Sequence, residues 1–346
     1  MTQKLQLQTT TTFGDWAYLA INRHYHKMLK HEAGVLQDRD PEELHQMRVG
    51  MRRLRTAIAG FAPAIRLPKA AREKQVALVA RILGKLRDLD VLQATLTENY
   101  YPVLPPAEQK QLQKALKKLK KERKTQFIQV ETLLQDKVYV KLKTHFERWL
   151  HTPQYQSLAE VNIDWILPDL LLPQTSKLLL HPGWLVGLKI ADGEFVIPEL
   201  LEPQDSDNLL SNCDETLHSL RKEAKRSRYQ MELFEQFYGE EYGQVLKNIK
   251  KIQSILGNIQ DGSVLTDFLN QALQIDLTQK MPILAAQLQR DRLEHWQEWQ
   301  VLQSQFLDAS WRKNLRHMMQ HPQSESFIST SHPDDSKAKN GRQPDQ

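Results

Sequence analysis

The sequence predicts an all-α protein built from two related helical units. Three observations carry this reading: apolar residues recur at helical spacing along almost the whole chain, one basic stretch is repeated without a gap, and only one short segment reads as strand. The 346 residues are 40% apolar, enough for one large domain or two similar bundles. Lys and Arg exceed Asp and Glu by 47 − 42 = 5, so local clusters of charge say more about partners than the total does. The single cysteine, Cys213, makes no internal disulfide, and no secretory signal, lipidation motif or bilayer-length apolar run is read. A soluble cytoplasmic protein without membrane contact is expected.

Residues 1–12 are polar and Thr-rich and are expected as a flexible leader. Helical spacing begins at Phe13 and runs to about Gln37, placing Arg23, Lys27, Lys30 and His31 on one face. After a break at 38–41, Asp40 is expected as N-cap, Pro41 at the first helical position and Glu43 at the capping-box spacing, so a second helix should run to about Phe61. A third, about 69–98, carries Arg81, Lys85 and the Arg87-Asp88 pair. Beyond the prolines of 101–106, residues 107–134 read as a long amphipathic helix. Leu112, Leu116 and Leu119 lie on one side, and Lys110, Lys114, Lys117, Lys121 and Lys124 on the other. A helix over 136–150 completes a first unit, 13–150.

Residues 151–204 are rich in proline and are expected as a linker or insertion. Short helices are predicted near 164–172 and 174–180, with a hairpin inside 184–198 around the turn dipeptide Asp192-Gly193. Helical patterning returns over 206–237, 241–256, 263–272 and 283–319, a second unit over 205–319, and 320–346 has the composition of a disordered tail.

The stretch 45–61, HQMRVGMRRLRTAIAGF, holds His45, Arg48, Arg52, Arg53 and Arg55 and no acid. At about 100° per residue, His45, Arg48, Arg52 and Arg55 share one face, where like charges three and four apart cost a few tenths of a kcal/mol per pair. An anion from outside the helix is expected. Residues 218–234, HSLRKEAKRSRYQMELF, match this stretch at an offset of 218 − 45 = 173, with His218, Arg221, Arg226, Arg228 and Phe234 identical and Lys225 in place of Arg52. At the same offset Ile255-Leu256-Gly257 and Asp261 match Ile82-Leu83-Gly84 and Asp88. Two such units would pack about a pseudo-twofold axis with their basic helices facing across a groove or pore.

These residues resemble the CHAD family, the α-helical domain named for its histidines. Its His-x-x-Arg and Arg-rich turn stand here twice, as HQMRVGMRRLR with ILGKLRD and as HSLRKEAKRSR with ILGNIQD. The resemblance implies two four-helix-bundle-like halves around a basic central channel that binds inorganic polyphosphate. It implies a binding module, not an enzyme, with no cofactor and no metal. Carried over residue by residue, the ligand contacts are His45, Arg48, Arg52, Arg53 and Arg55 with His218, Arg221, Lys225, Arg226 and Arg228. Arg23, Lys27, Arg81, Lys85, Lys114, Lys117, Lys121 and Lys222 are secondary candidates. The ExExK strand of the triphosphate-tunnel domain carried by some members does not occur, so a fused phosphohydrolase is not expected.

Polyphosphate offers charge and geometry but no base edge, and the planar fork of arginine matches its oxygens. Polyphosphate granules are one place such a binder would be found. A nucleic-acid binder is the alternative, disfavoured because the basic helices lack interleaved aromatics for stacking. A histidine phosphotransfer protein is a third reading. For the lysines of 110–124 an ordinary solvated face competes with a ligand role, and His24, His26 and His31 lack the acid or cysteine partners of a metal site.

Overall fold

A computed structural model describes residues 11–196 and 203–323 of the chain. The expectations for 1–10 of the leader, 197–202 of the linker and 324–346 of the tail lie outside the described residues. The first helix, α1 (Phe13–Lys30), starts at Thr12, whose hydroxyl accepts from the Asp15 amide at 3.1 Å while Asp15 caps in return. Thr12, expected in the leader, is therefore a cap, because four unpaired amides at a helix start need an acceptor. After α2 (Glu32–Gln37), α3 (Pro41–Gly60) begins as expected, with the Asp40 carboxylate accepting from the Glu42 amide at 2.8 Å and Pro41 in the first turn. The capping box is not completed: Glu43 accepts instead from His31 Nδ1 at 2.8 Å, tying α3 to the end of α1.

Helix α4 (Glu73–Thr95) runs on through a π turn at Leu96–Tyr100, and α5 (Pro106–Gln135) and α6 (Lys137–His151) follow. The region expected as an insertion holds α7 (Ile163–Leu179), one continuous helix where two were predicted. Pro168 and Pro173 each remove a helical hydrogen bond, but Ile163, Leu167, Leu171, Leu178 and Leu179 are buried along one side and hold the helix together. The hairpin is shorter than expected: β1 (Lys189–Ala191) pairs antiparallel with β2 (Glu194–Val196), Ile190 opposite Phe195. Asp192 and Gly193 supply the two positive φ angles, 51° and 81°, that such a turn requires.

The stretch expected as a second unit contains α8 (Pro203–Asn212), α9 (Asp214–Leu233), α10 (Glu240–Leu273), α11 (Leu277–Lys280), α12 (Pro282–Leu307) and α13 (Ala309–Gln320). The predicted break between 256 and 263 is absent. Gly262 costs about 1 kcal/mol of helix propensity, and burial of Leu256, Ile259, Leu265 and Leu269 outweighs it. Conversely the last predicted helix breaks at Asp308, whose side chain caps α13 by accepting from Trp311 N at 2.6 Å. Among the described residues no helix is long and apolar enough to cross a membrane.

The expected halves share their core. Phe61 and Phe234, the matched residues ending the two basic stretches, pack edge to face at 5.4 Å, and Phe13 adjoins Phe61 at 5.3 Å. A second apolar cluster joins Leu112, Ala115 and Leu119 of α5 to Leu265 and Leu269 of α10 and Leu284 and Leu288 of α12. At its edge the buried Glu108 carboxylate accepts from the amides of Ile283 and Leu284, both at 2.9 Å, and so caps α12 from the other unit.

Gly183, Trp184 and Val186 are likewise buried in the core. Trp184 is buried, stacks on Phe306 at 5.0 Å and Trp299 at 5.1 Å, and donates to Leu178 O at 2.6 Å. Gln303 Nε2 donates to the carbonyls of Trp184 and Val186 at 2.7 and 2.9 Å. In contrast, Ile190, Phe195 and Val196 are exposed. Trp184→Ala is expected to lower the unfolding free energy by about 3–5 kcal/mol. Replacing 189–196 with a short Gly-Ser link should change it by no more than about 0.5 kcal/mol. Urea denaturation of the two variants separates the core segment from the peripheral hairpin.

Candidate functional site

The contact between α3 and α9 opens, on one side, into a cavity of about 710 Å³ with α4 and α7 completing its walls. Arg48, Arg52 and Arg55 enter it from α3, Arg81 and Lys85 from α4, and Lys222, Lys225 and Arg226 from α9. Eight cations thus face two carboxylates, Glu73 and Asp88. The cavity continues past Lys85 and Asp88 into a shallower one that reaches Lys121 of α5.

Each arginine is held differently. Arg48 donates to Ala80 O at 3.3 Å and lies across Gly84 so closely that a β-carbon there would stand 2.6 Å from its Nη1. Arg221 lies across Gly257 in the same way, a β-carbon there coming within 3.0 Å of its Nη2. The glycine of each Leu-Gly pair is therefore the floor under the arginine of each His-x-x-Arg. Arg52 packs over the Tyr229 ring at 4.6 Å, Arg228 lies over the same ring at 4.3 Å, and the Nε of Arg52 is buried with no hydrogen-bond partner.

Burial pulls Arg48 and Arg52 below the ordinary arginine value; for Arg48 the nearby Asp88 opposes this and the Arg52 charge adds to it. Lys225 is pushed down to about 8 by burial and then by Arg52, Arg221 and Arg48, with Asp88 opposing. Because the Lys225 side chain still reaches solvent, crowding by like charges is the part of that shift which a bound anion would relieve.

Four of the expected ligand arginines, Arg55, Arg221, Arg226 and Arg228, already lie within ion-pair distance of protein carboxylates. Arg55 Nε donates to Glu73 at 2.7 Å, and Arg228 pairs with Glu232 one turn along its own helix and donates to Gln253 at 2.9 Å. The anion expected from outside the first stretch is thus partly Glu73 of α4. Arg226 remains exposed and makes a 3.3 Å contact with Glu223. His218 Nδ1 and Arg221 Nη1 share Gln260 Oε1, the arginine at 3.1 Å, and Asp261 lies 3.9 Å from Arg221. At the matching place in the first unit stands Arg87, and burial followed by its charge lowers His45. Neither histidine lines the cavity, and neither does Arg221.

Of the remaining candidates, Arg81, Lys85 and Lys222 line the cavity. Arg53, Arg23 and Lys27 do not; Arg53 and Arg23 line a separate cavity with His24, on the α1 side of α3. Lys114 and Lys117 are exposed on α5, away from the lining. His26 Nδ1 bonds Asn22 O at 2.9 Å and His31 is engaged by Glu43. Tyr229, a position of the second stretch with no basic counterpart in the first, seats Arg52; residues that sequence reasoning passed over are Glu73 and Gln174, whose amide donates to Glu223 and to Ser227. The repeated Leu-Gly pair is the sequence signal that points to Gly84 and Gly257.

The sequence pattern that defines the CHAD domain matches residues 19–270. The chain belongs to the CHAD domain family. The matched span includes 151–204 and ends within α10. Among solved structures, the CHAD domain from the plant Ricinus communis is similar with a TM-score of 0.57 at 21% identity, over 93% of this chain and 97% of that one. PptA from Streptomyces chartreusis gives 0.63 at 13% identity, over 85% and 99%. At these identities the likeness is one of fold. No curated protein matches the sequence.

Gly84→Ala isolates the arginine seat. Alanine gains about 1 kcal/mol of helix propensity, while displacing Arg48 loses a hydrogen bond worth about 0.5–1.5 kcal/mol. Thermal stability should therefore stay nearly level. A thermal melt of Gly84→Ala beside the wild type checks this, and a loss of more than about 2 kcal/mol would show that the seat matters to the fold.

Proposed function

We propose that this CHAD protein is a polyphosphate-binding module and that the polymer lies in the cavity between α3 and α9. The observation that carries the reading is the lining: eight cations against two carboxylates, with Arg52 held on Tyr229 and its Nε unpartnered. A groove so charged attracts a polyanion over its whole length, and the guanidinium forks fit phosphate oxygens. In this reading the two units are four-helix-bundle-like halves related by a pseudo-twofold axis, and the cavity is the channel between them. Arg48, Arg52, Lys225 and Arg226 are the central contacts, and Arg81, Lys85, Lys222 and Lys121 extend them. Arg55 and Arg228 hold the walls. His45, His218 and Arg221 support the lining from behind it.

Nucleic acid is the weaker reading because the aromatic ring in the lining, Tyr229, is only 8% exposed and is covered by Arg52, so bases find no stacking face. The binding role supplies no reacting group, and we assign no catalysis.

Long-chain polyphosphate should raise the melting temperature of the wild type. With about six phosphate contacts, affinity should fall roughly a hundredfold or more between 50 and 200 mM salt; a salt-independent affinity, or duplex DNA binding more tightly than polyphosphate at equal charge, would overturn the reading. The Arg52→Met/Lys225→Met double variant should melt no lower than the wild type when free, since crowded charge is removed, yet lose most of the ligand-induced shift.

Lys225 also predicts a proton signature. Its lowered value, about 8, leaves about half of it neutral at pH 8 in the free protein. An anion raises that value, so binding at pH 8 should take up protons, and the uptake from this lysine should vanish below pH 7, where it is already charged. Calorimetry in buffers of different ionisation enthalpy reads the uptake, and Lys225→Met should abolish the part seen at pH 8.

A further inference from the structure

On the α1 side of α3 lies a cavity of about 800 Å³ that meets the polymer cavity only at Thr56 and Tyr229. Its lining includes Trp16, Arg23 and His24 of α1 and Arg53 of α3, with Glu232 and Glu235 on the opposite wall. His24 is 8% exposed and its buried Nδ1 has no hydrogen-bond partner; the indole Nε1 of Trp16 is buried and unpartnered as well. Arg23 and Arg53 are exposed and make no ion pair among the described residues. Buried polar groups without partners are uncommon in folded proteins and mark places where another molecule supplies the missing bond.

We propose that this cavity is a second anion site, which takes a single phosphate group on Arg23, Arg53 and the buried His24. Two guanidiniums at the rim match the oxygens of one phosphate, and the buried His24 and the half-buried Trp16 line the same cavity with ring nitrogens that have no partner in the fold. The carboxylates decide the size of the ligand. Glu232 is tied to Arg228, whereas Glu235 is exposed, and together they repel a long polyanion crossing that wall while leaving room for one compact phosphate. The inference stands apart from the polymer reading of the first cavity. The phosphate belongs either to a free phosphate ester or to the end of a polymer, and both present the same terminal phosphate oxygens.

His24 reports on the site. Its imidazole is held down to about 4 by burial and then by Arg53, Arg23 and Lys27, while Glu232 and Glu235 line the same cavity from α9 and the turn beyond. A phosphate placed among those cations stabilises the imidazolium, so the value should rise when the site fills. The experiment is NMR titration of the histidine rings in the full chain, with His24 assigned through His24→Gln. Saturating inorganic phosphate should raise the His24 value by about one unit or more in the wild type and in Arg52→Met, and by less than about 0.3 in Arg53→Met. No movement in the wild type, or equal movement in Arg53→Met, would overturn the site. Loss of the movement in Arg52→Met would do the same by merging the two cavities. Adenosine monophosphate and long-chain polyphosphate then separate the sources: whichever reproduces the shift at the lower concentration identifies a free ester or a polymer end.

Discussion

Apolar packing forces like charges together in this protein. Phe61 at the end of α3 and Phe234 at the end of α9, joined by Phe13, bring the ends of two basic helices into contact, and Arg48, Arg52 and Arg55 upstream on α3 then share a cavity with Lys222, Lys225 and Arg226 of α9. The hydrophobic term is large enough to impose this. A buried phenylalanine contributes about 1.5–3 kcal/mol, whereas a pair of partly solvated like charges costs a few tenths. Removing water from the charges raises that cost, and the lowered values of Arg48, Arg52 and Lys225 record it.

The remaining architecture distributes the charge instead of neutralising it. Glu73 and Glu232 anchor Arg55 and Arg228 at the flanks, Gln260 serves His218 and Arg221 together, and the Tyr229 ring gives Arg52 a surface without a counter-charge. Gly84 and Gly257 let Arg48 and Arg221 lie flat against the neighbouring helix. Each device restrains the hydrocarbon or one edge of the side chain. Lys225 and Arg226 stay open to solvent, and Arg52 keeps an unpaired nitrogen. Preorganised cations of this kind meet an anion with little ordering left to do.

Much of the fold was legible because periodicity and caps are local. Asp40 and Pro41 set the start of α3 as read from the sequence, and the Asp192-Gly193 turn stands where predicted. The misreadings came where local signals competed with burial. Pro168 and Pro173 argued for a break in α7, and Gly262 for one in α10, and both helices continue because one face of each is buried. Glu43 had the right spacing for a capping box and found His31 instead. The proline-rich composition of 151–204 suggested a linker or insertion, and within it Trp184 sits in the core between Phe306 and Trp299.

By itself the sequence determined the helical class, the two basic stretches in shared register and the family, since each of these is written in spacing along one chain. It also named the residue types suited to phosphate. Only the tertiary structure decided which of those residues share a cavity. Arg48, Arg52, Lys225 and Arg226 meet on one side of α3, while Arg53 turns to the other with Arg23 and His24. The physical reason is that adjacent residues on a helix point about 100° apart, so Arg52 and Arg53 enter different spaces, and which space collects an anion depends on helices far away in sequence.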